Sequence, residues 1–106
     1  MTNSKRKGKV GELEVANYLK DKGLTARRGQ QYQGSPDSPD VICEEWSNIH
    51  IEVKRDEHLN IEKAIQQSTN DSRETDIPIV IHRKNREQWK VTMWLDDFID
   101  MNMGKE

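Results

Sequence analysis

Two carboxylates and a lysine, crowded into one short stretch, are the residues of this chain best suited to chemistry. From Ser38 to Arg55 it reads Ser-Pro-Asp-Val-Ile-Cys-Glu-Glu-Trp-Ser-Asn-Ile-His-Ile-Glu-Val-Lys-Arg. The pattern predicts two short strands joined by a turn near Trp46-Ser47-Asn48. The first opens on Asp40 and runs through Val41, Ile42 and Cys43. The second alternates: Ile49, Ile51 and Val53 share one face and His50, Glu52 and Lys54 the other, because strand side chains repeat every second residue. Asp40 enters beside Glu52 and Lys54 from the neighbouring strand. Acids held together resist ionisation, and a divalent cation removes that conflict. Such a group suits metal-assisted attack on a phosphodiester, with Lys54 orienting or deprotonating the attacking water or stabilising charge on the phosphate. Only oxygen ligands are offered, which favours Mg²⁺ or Mn²⁺ over zinc.

The acid-x-lysine tripeptide says little by itself. About two are expected by chance at this charge content, and Glu52-Val53-Lys54 is the one that occurs. On its own it also describes an ordinary solvent-facing strand. A third acid, Glu12, changes the weighting. A helix is expected from about Lys9 to Lys22, stopped by Gly23, with Val10, Leu13, Val15, Ala16 and Leu19 as its apolar members. The neighbours of Glu12 at i+3, i+4 and i+7 are Val15, Ala16 and Leu19, so it borders the buried stripe. Glu14 meets Asn17, Tyr18 and Asp21 in those places and reads as more solvated. A carboxylate at a core edge costs free energy unless it is paired or bound to metal.

The elements that must position these residues follow in order. Leu24 to Arg28 forms a short strand, and Gly29 to Pro39 a loop long enough to be functional in so small a domain. Asn60 caps a second helix from Ile61 to about Ser72, with Ile61, Ala64, Ile65 and Ser68 on its apolar face and Gln67 at the edge. Ile77 to His82 and Trp89 to Met93 are strands, joined by a polar turn at Arg83 to Gln88. A closing amphipathic helix carries Trp94, Leu95, Phe98 and Ile99 against Asp96, Asp97 and Asp100. The order is αβββαββα, an α/β (α+β) domain built around one sheet.

A chain of 106 residues fits one domain. It is expected to comprise a basic tail, 1–8, and a single folded unit, 9–106. No apolar run is long enough for a membrane span or signal peptide. The single cysteine, Cys43, sits in an apolar strand as a core residue and has no partner for an internal disulfide, so an intracellular, cytoplasmic setting is expected. The net charge of −2 hides an asymmetry. Residues 1–34 hold eight basic and three acidic side chains, whereas 35–106 hold nine and sixteen. A basic first third is a candidate nucleic-acid-contacting surface. Lys5, Arg6, Lys7 and Lys9, with Arg27 and Arg28, are the natural phosphate-contacting set, and Ser35 lies in the loop that would approach DNA near the cut.

Glu12 on the first helix, Pro39-Asp40, Glu52-Val53-Lys54 and a glutamine on the next helix together resemble the PD-(D/E)xK nuclease superfamily. The basic, glycine-containing lead-in from Lys5 to Glu12 is similar to that of the archaeal-type Holliday junction resolvases and their small phage relatives. The resemblance implies a restriction-endonuclease-like mixed central sheet flanked by helices. It also implies that Asp40, Glu52 and the Val53 carbonyl ligate the metal, that Lys54 is the catalytic lysine and that Glu12 is the additional acid near the metals. The resemblance implies a helix-borne glutamine as well, placed at Gln67 with the adjacent Gln66 as the alternative. Pro36-Asp37 is a second Pro-Asp pair, and Asp40 is preferred because the strand begins there. The expected activity is Mg²⁺-dependent endonucleolytic cleavage of branched DNA. Its rivals are a restriction-like or nicking enzyme on duplex DNA and a non-catalytic DNA-binding module. A two-fold homodimer fits a symmetric junction, with the last helix as one place for the second subunit to pack. His50 reads as a residue that covers the sheet, and Trp89 and Trp94 as core or interface anchors.

Overall fold

One side of the first helix and alternate positions of the strands are apolar, and burying the first against the second organises the chain. The computed structural model describes residues 4–29 and 38–104. Its elements are α1 (Ser4–Asp21), β1 (Ala26–Arg28), β2 (Val41–Cys43), β3 (Ile49–Arg55), α2 (Ile61–Asp71), β4 (Ile77–Arg83), β5 (Lys90–Met93) and α3 (Leu95–Asn102). This is the expected order, with a 3-10 turn at Glu44–Trp46 between β2 and β3.

The five strands lie in chain order across one sheet. β1, β2 and β3 form an antiparallel meander, with Arg28 opposite Val41 and Val41 opposite Ile51. β3 and β4 run parallel, from Ile49 opposite Ile77 to Arg55 opposite Arg83. Parallel neighbours need a crossover, and α2 supplies it. β5 returns antiparallel on β4, which makes the sheet mixed. Helices flanking a mixed sheet in this order agree with the restriction-endonuclease-like fold that the resemblance implies.

The two helices cover opposite faces. Val15, Ala16 and Leu19 of α1 pack in one cluster with Val41, Cys43, Ile51, Val53, Ile79 and Ile81. Ala64 and Ile65 of α2 meet Val80 in a second. The odd positions of β3 and β4 therefore face α1, and the even positions face α2. Val10 and Leu13, expected in the helix stripe, are exposed instead. The buried side of α1 runs through positions 11, 15, 16 and 19, and positions 10 and 13 point well away from it at 100° per residue.

Local signals set most helix ends. Gly23 adopts a positive φ of 96° after α1 and lets the chain turn, with Leu24 N–H donating to the Leu19 carbonyl at 3.0 Å. Asn60 caps α2 by accepting the Lys63 N–H at 3.1 Å. α1 starts earlier than expected, at Ser4, since Lys and Arg are good helix formers and nothing before Gly8 stops them. The final helix has the predicted two-sided pattern, but none of its residues is buried. No helix among the described residues is long and apolar enough to cross a membrane.

Candidate active site

β3 carries the core on one face and the chemistry on the other. Ile51 and Val53 are buried under α1, while His50 and Glu52, each 3% exposed, are buried on the α2 side. The solvent-facing strand that the tripeptide alone would describe is therefore not what forms. Asp40, 6% exposed, is clamped opposite by two bonds: its N–H donates to the Ile51 carbonyl, and its Oδ2 accepts the Val53 N–H, both at 2.9 Å. The Asp40 carboxyl lies close to that of Glu52, near enough for a proton held on Asp40 to bridge them. Burial, and then the charge of Glu52, push the Asp40 carboxyl up to about 7, although the Val53 N–H and the Lys54 charge pull against the rise.

The Pro39-Asp40 corner depends on a residue that carried no weight in the sequence. Gly29 N–H donates to the Asp40 carbonyl at 2.8 Å. A Cβ on Gly29 would lie 2.0 Å from the Pro39 carbonyl oxygen, so no side chain fits there. The only sequence signal was the glycine itself at the strand end, which reads equally well as the start of a loop. Asp37 and Ser35 lie outside the described residues.

Glu12 reaches the same corner from α1. Gly11 lets the helix press on β3, where a Cβ would meet Arg55 Cβ at 3.3 Å. The Glu12 side chain is mostly buried and bonds Arg28 Nε through Oε1 at 3.0 Å. Burial foremost, with the nearby charge of Asp40, raises the Glu12 carboxyl above its ordinary range, while Arg28 and Lys54 oppose the rise. Arg28, read as a phosphate contact, thus bonds an acid of the cluster. Glu14, read as solvated, instead bridges Arg83 at 3.2 Å and Arg55 at 3.5 Å.

Lys54 is half-buried at the open end of this face. It lines a cleft of about 660 Å³ with Gln66, Gln67, Lys63 and Asn70 of α2. Lys54 and Gln67 therefore share one space. Gln66 shares it too, but its amide donates to Asn70 Oδ1 at 3.2 Å. Among the expected DNA contacts, Lys9 is exposed and Arg27 pairs with Glu44 at 3.3 Å on the surface. The side chains of Lys5, Arg6 and Lys7 lie outside the described part of α1. His50 does more than cover the sheet, because its Nε2 lies 2.8 Å from Glu52 Oε1.

The donor set suits a hard divalent cation. Two buried acids in contact are relieved by positive charge, and carboxylate and carbonyl oxygens match Mg²⁺ or Mn²⁺. Among the described residues no three His, Cys, Asp or Glu side chains are grouped so as to hold a metal. Asp40 and Glu52 would therefore need a donor of another kind, such as the Val53 carbonyl. The family model described as "Phage putative PDDEXK endonuclease" matches residues 3–105. No curated protein and no solved structure matches the chain. Nearly its whole length thus answers to one family: the chain belongs to this phage family of PD-(D/E)xK endonucleases.

Proposed function

We propose that the protein is a Mg²⁺- or Mn²⁺-dependent endodeoxyribonuclease directed at branched DNA, akin to the archaeal-type Holliday junction resolvases it resembles. The observation that supports the metal-dependent chemistry is the approach of the buried Asp40 and Glu52 carboxyl groups, with the Lys54 charge close by. In this reading Asp40, Glu52 and the Val53 carbonyl hold the cation. When bound, it supplies positive charge to a phosphodiester oxygen and acidifies the attacking water. Lys54 orients that water or neutralises charge on the phosphate. Glu12 is the outer acid, and Gln67 contacts the water or phosphate from the far wall of the cleft. Lys5, Arg6, Lys7, Lys9, Arg27, Arg28 and Ser35 make up the DNA-contacting set.

A two-fold homodimer belongs to the same proposal, since two strands of a symmetric junction need two sites. The uncovered apolar residues of α3, with Leu95 at 68% and Phe98 at 51% exposure, support a second copy as the partner. The test is a Mg²⁺-dependent cleavage assay over linear duplex, single-stranded and four-way-junction DNA. Junctions should be cut in preference, and Asp40→Asn and Glu52→Gln should abolish cutting. Undiminished cutting by both variants would overturn the active-site assignment, and equal cutting of junction and linear duplex would overturn the branched-DNA reading.

A further inference from the structure

Glu52 is a buried carboxylate, and burial leaves both its oxygens in need of partners. The carboxyl group approaches Asp40. Its Oε1 lies 2.8 Å from His50 Nε2, with both side chains 3% exposed. His50 stands two residues before Glu52 on the same face of β3, so strand geometry holds imidazole and carboxylate side by side. An ionised carboxylate only accepts hydrogen bonds, so Nε2 carries the proton whenever Glu52 is charged.

An ion pair of other residues also lies near the ring. His50 lines a cavity of about 310 Å³ together with Pro39, Arg73 and Asp76. Arg73 grips Asp76 through two bonds, at 2.9 and 3.1 Å. That grip holds the Asp76 carboxyl below its ordinary range against partial burial, with Arg73 and His50 adding smaller charge contributions. The charged groups near His50 are therefore Glu52 and the Asp76–Arg73 pair. A leucine would cover this part of the sheet equally well, but it would leave Glu52 Oε1 unpaired and the carboxylate free to rotate.

We infer that His50 is a positioning residue, whose Nε2–H holds the Glu52 carboxylate in the orientation that meets Asp40, so that divalent-metal affinity depends on a side chain that is not itself a ligand. This rests on the reading of Asp40 and Glu52 as the metal pair. Partners of this kind orient a ligand and lower the cost of organising it when the ion arrives.

Calorimetric titration of Mn²⁺ into the full chain tests the inference, with thermal unfolding confirming that each variant folds. The wild type should bind, and Glu52→Gln should not. His50→Leu should weaken Mn²⁺ affinity about 10- to 100-fold. His50→Gln, whose amide nitrogen reaches close to the Nε2 position, should recover most of the loss. If His50→Leu does not fold, His50→Gln against His50→Asn decides, because asparagine is too short to reach Glu52. Wild-type affinity in His50→Leu, or equal affinity in the Gln and Asn variants, would sink the inference and leave the metal pair standing. Absence of Mn²⁺ binding by the wild-type protein would sink the metal pair itself.

Discussion

The two faces of β3 differ in what they optimise. Toward α1 the strand presents Ile51 and Val53, which join Val15, Ala16 and Leu19 in one apolar cluster. Toward α2 it presents His50, Glu52 and Lys54, and two of these three are as buried as the core. The first face lowers the free energy of the folded chain through burial of apolar area. The second raises it, because ionisable groups leave water there and two acids meet. A single strand thus has stability on one side and a costly cluster on the other. Such an arrangement should make the two faces respond differently to substitution.

Four experiments would break or sharpen this contrast. Ile51→Ala, at a fully buried position facing α1, should cost about 2–5 kcal/mol in urea unfolding. On the other face, Lys54→Met should lower Mg²⁺-dependent cleavage by about 10²–10³-fold in single-turnover kinetics. Its urea midpoint should stay close to wild type, because Lys54 is only half-buried on the cleft wall. If both substitutions reduced stability alike, the division of labour between the faces would be wrong.

The third test uses pH. The Asp40 carboxyl is raised from 3.8 to about 7 in the folded chain. A raised acid binds its proton more tightly when folded, so its favourable contribution is complete below the unfolded pKa and lost as pH rises through about 7. Metal-free protein should accordingly melt at a lower temperature at about pH 8 than at about pH 5, and Asp40→Asn should flatten that difference. Added Mn²⁺ should restore the melting temperature mainly at the higher pH, where the ligands are ionised. A smaller effect is expected at the entrance to α2. Asn60→Ala removes the cap that accepts the Lys63 N–H and should cost about 1 kcal/mol, read by urea denaturation.

Much of this architecture was legible because its signals are local. The alternation from Ile49 to Lys54 marks β3 and assigns Glu52 and Lys54 to one face. Gly23 marks the end of α1, and Asn60 the start of α2. The element order, and with it the mixed sheet, followed from such signals and from the resemblance carried by Pro39-Asp40 and Glu52-Val53-Lys54. Local signals fared worse where a residue's role depends on a distant neighbour. Val10 and Leu13 are as apolar as Val15, yet only the azimuth of α1 against the sheet decides which of them is buried. Glu14 had polar neighbours on its own helix and gained Arg55 and Arg83 from two strands.

By itself the sequence determined the elements, their periodicity and which ionisable groups share one face of β3, because hydrogen-bonding geometry and side-chain alternation act over a few residues. Tertiary structure alone decided that α2 buries the polar face of β3, that Gly29 must lack a side chain for Pro39 to pass, and that Arg28 bonds Glu12. It also turned His50 from a covering residue into the partner of Glu52. Each of these is a contact between segments that the chain brings together only on folding, where solvent is excluded and a neighbouring charge is strongly felt.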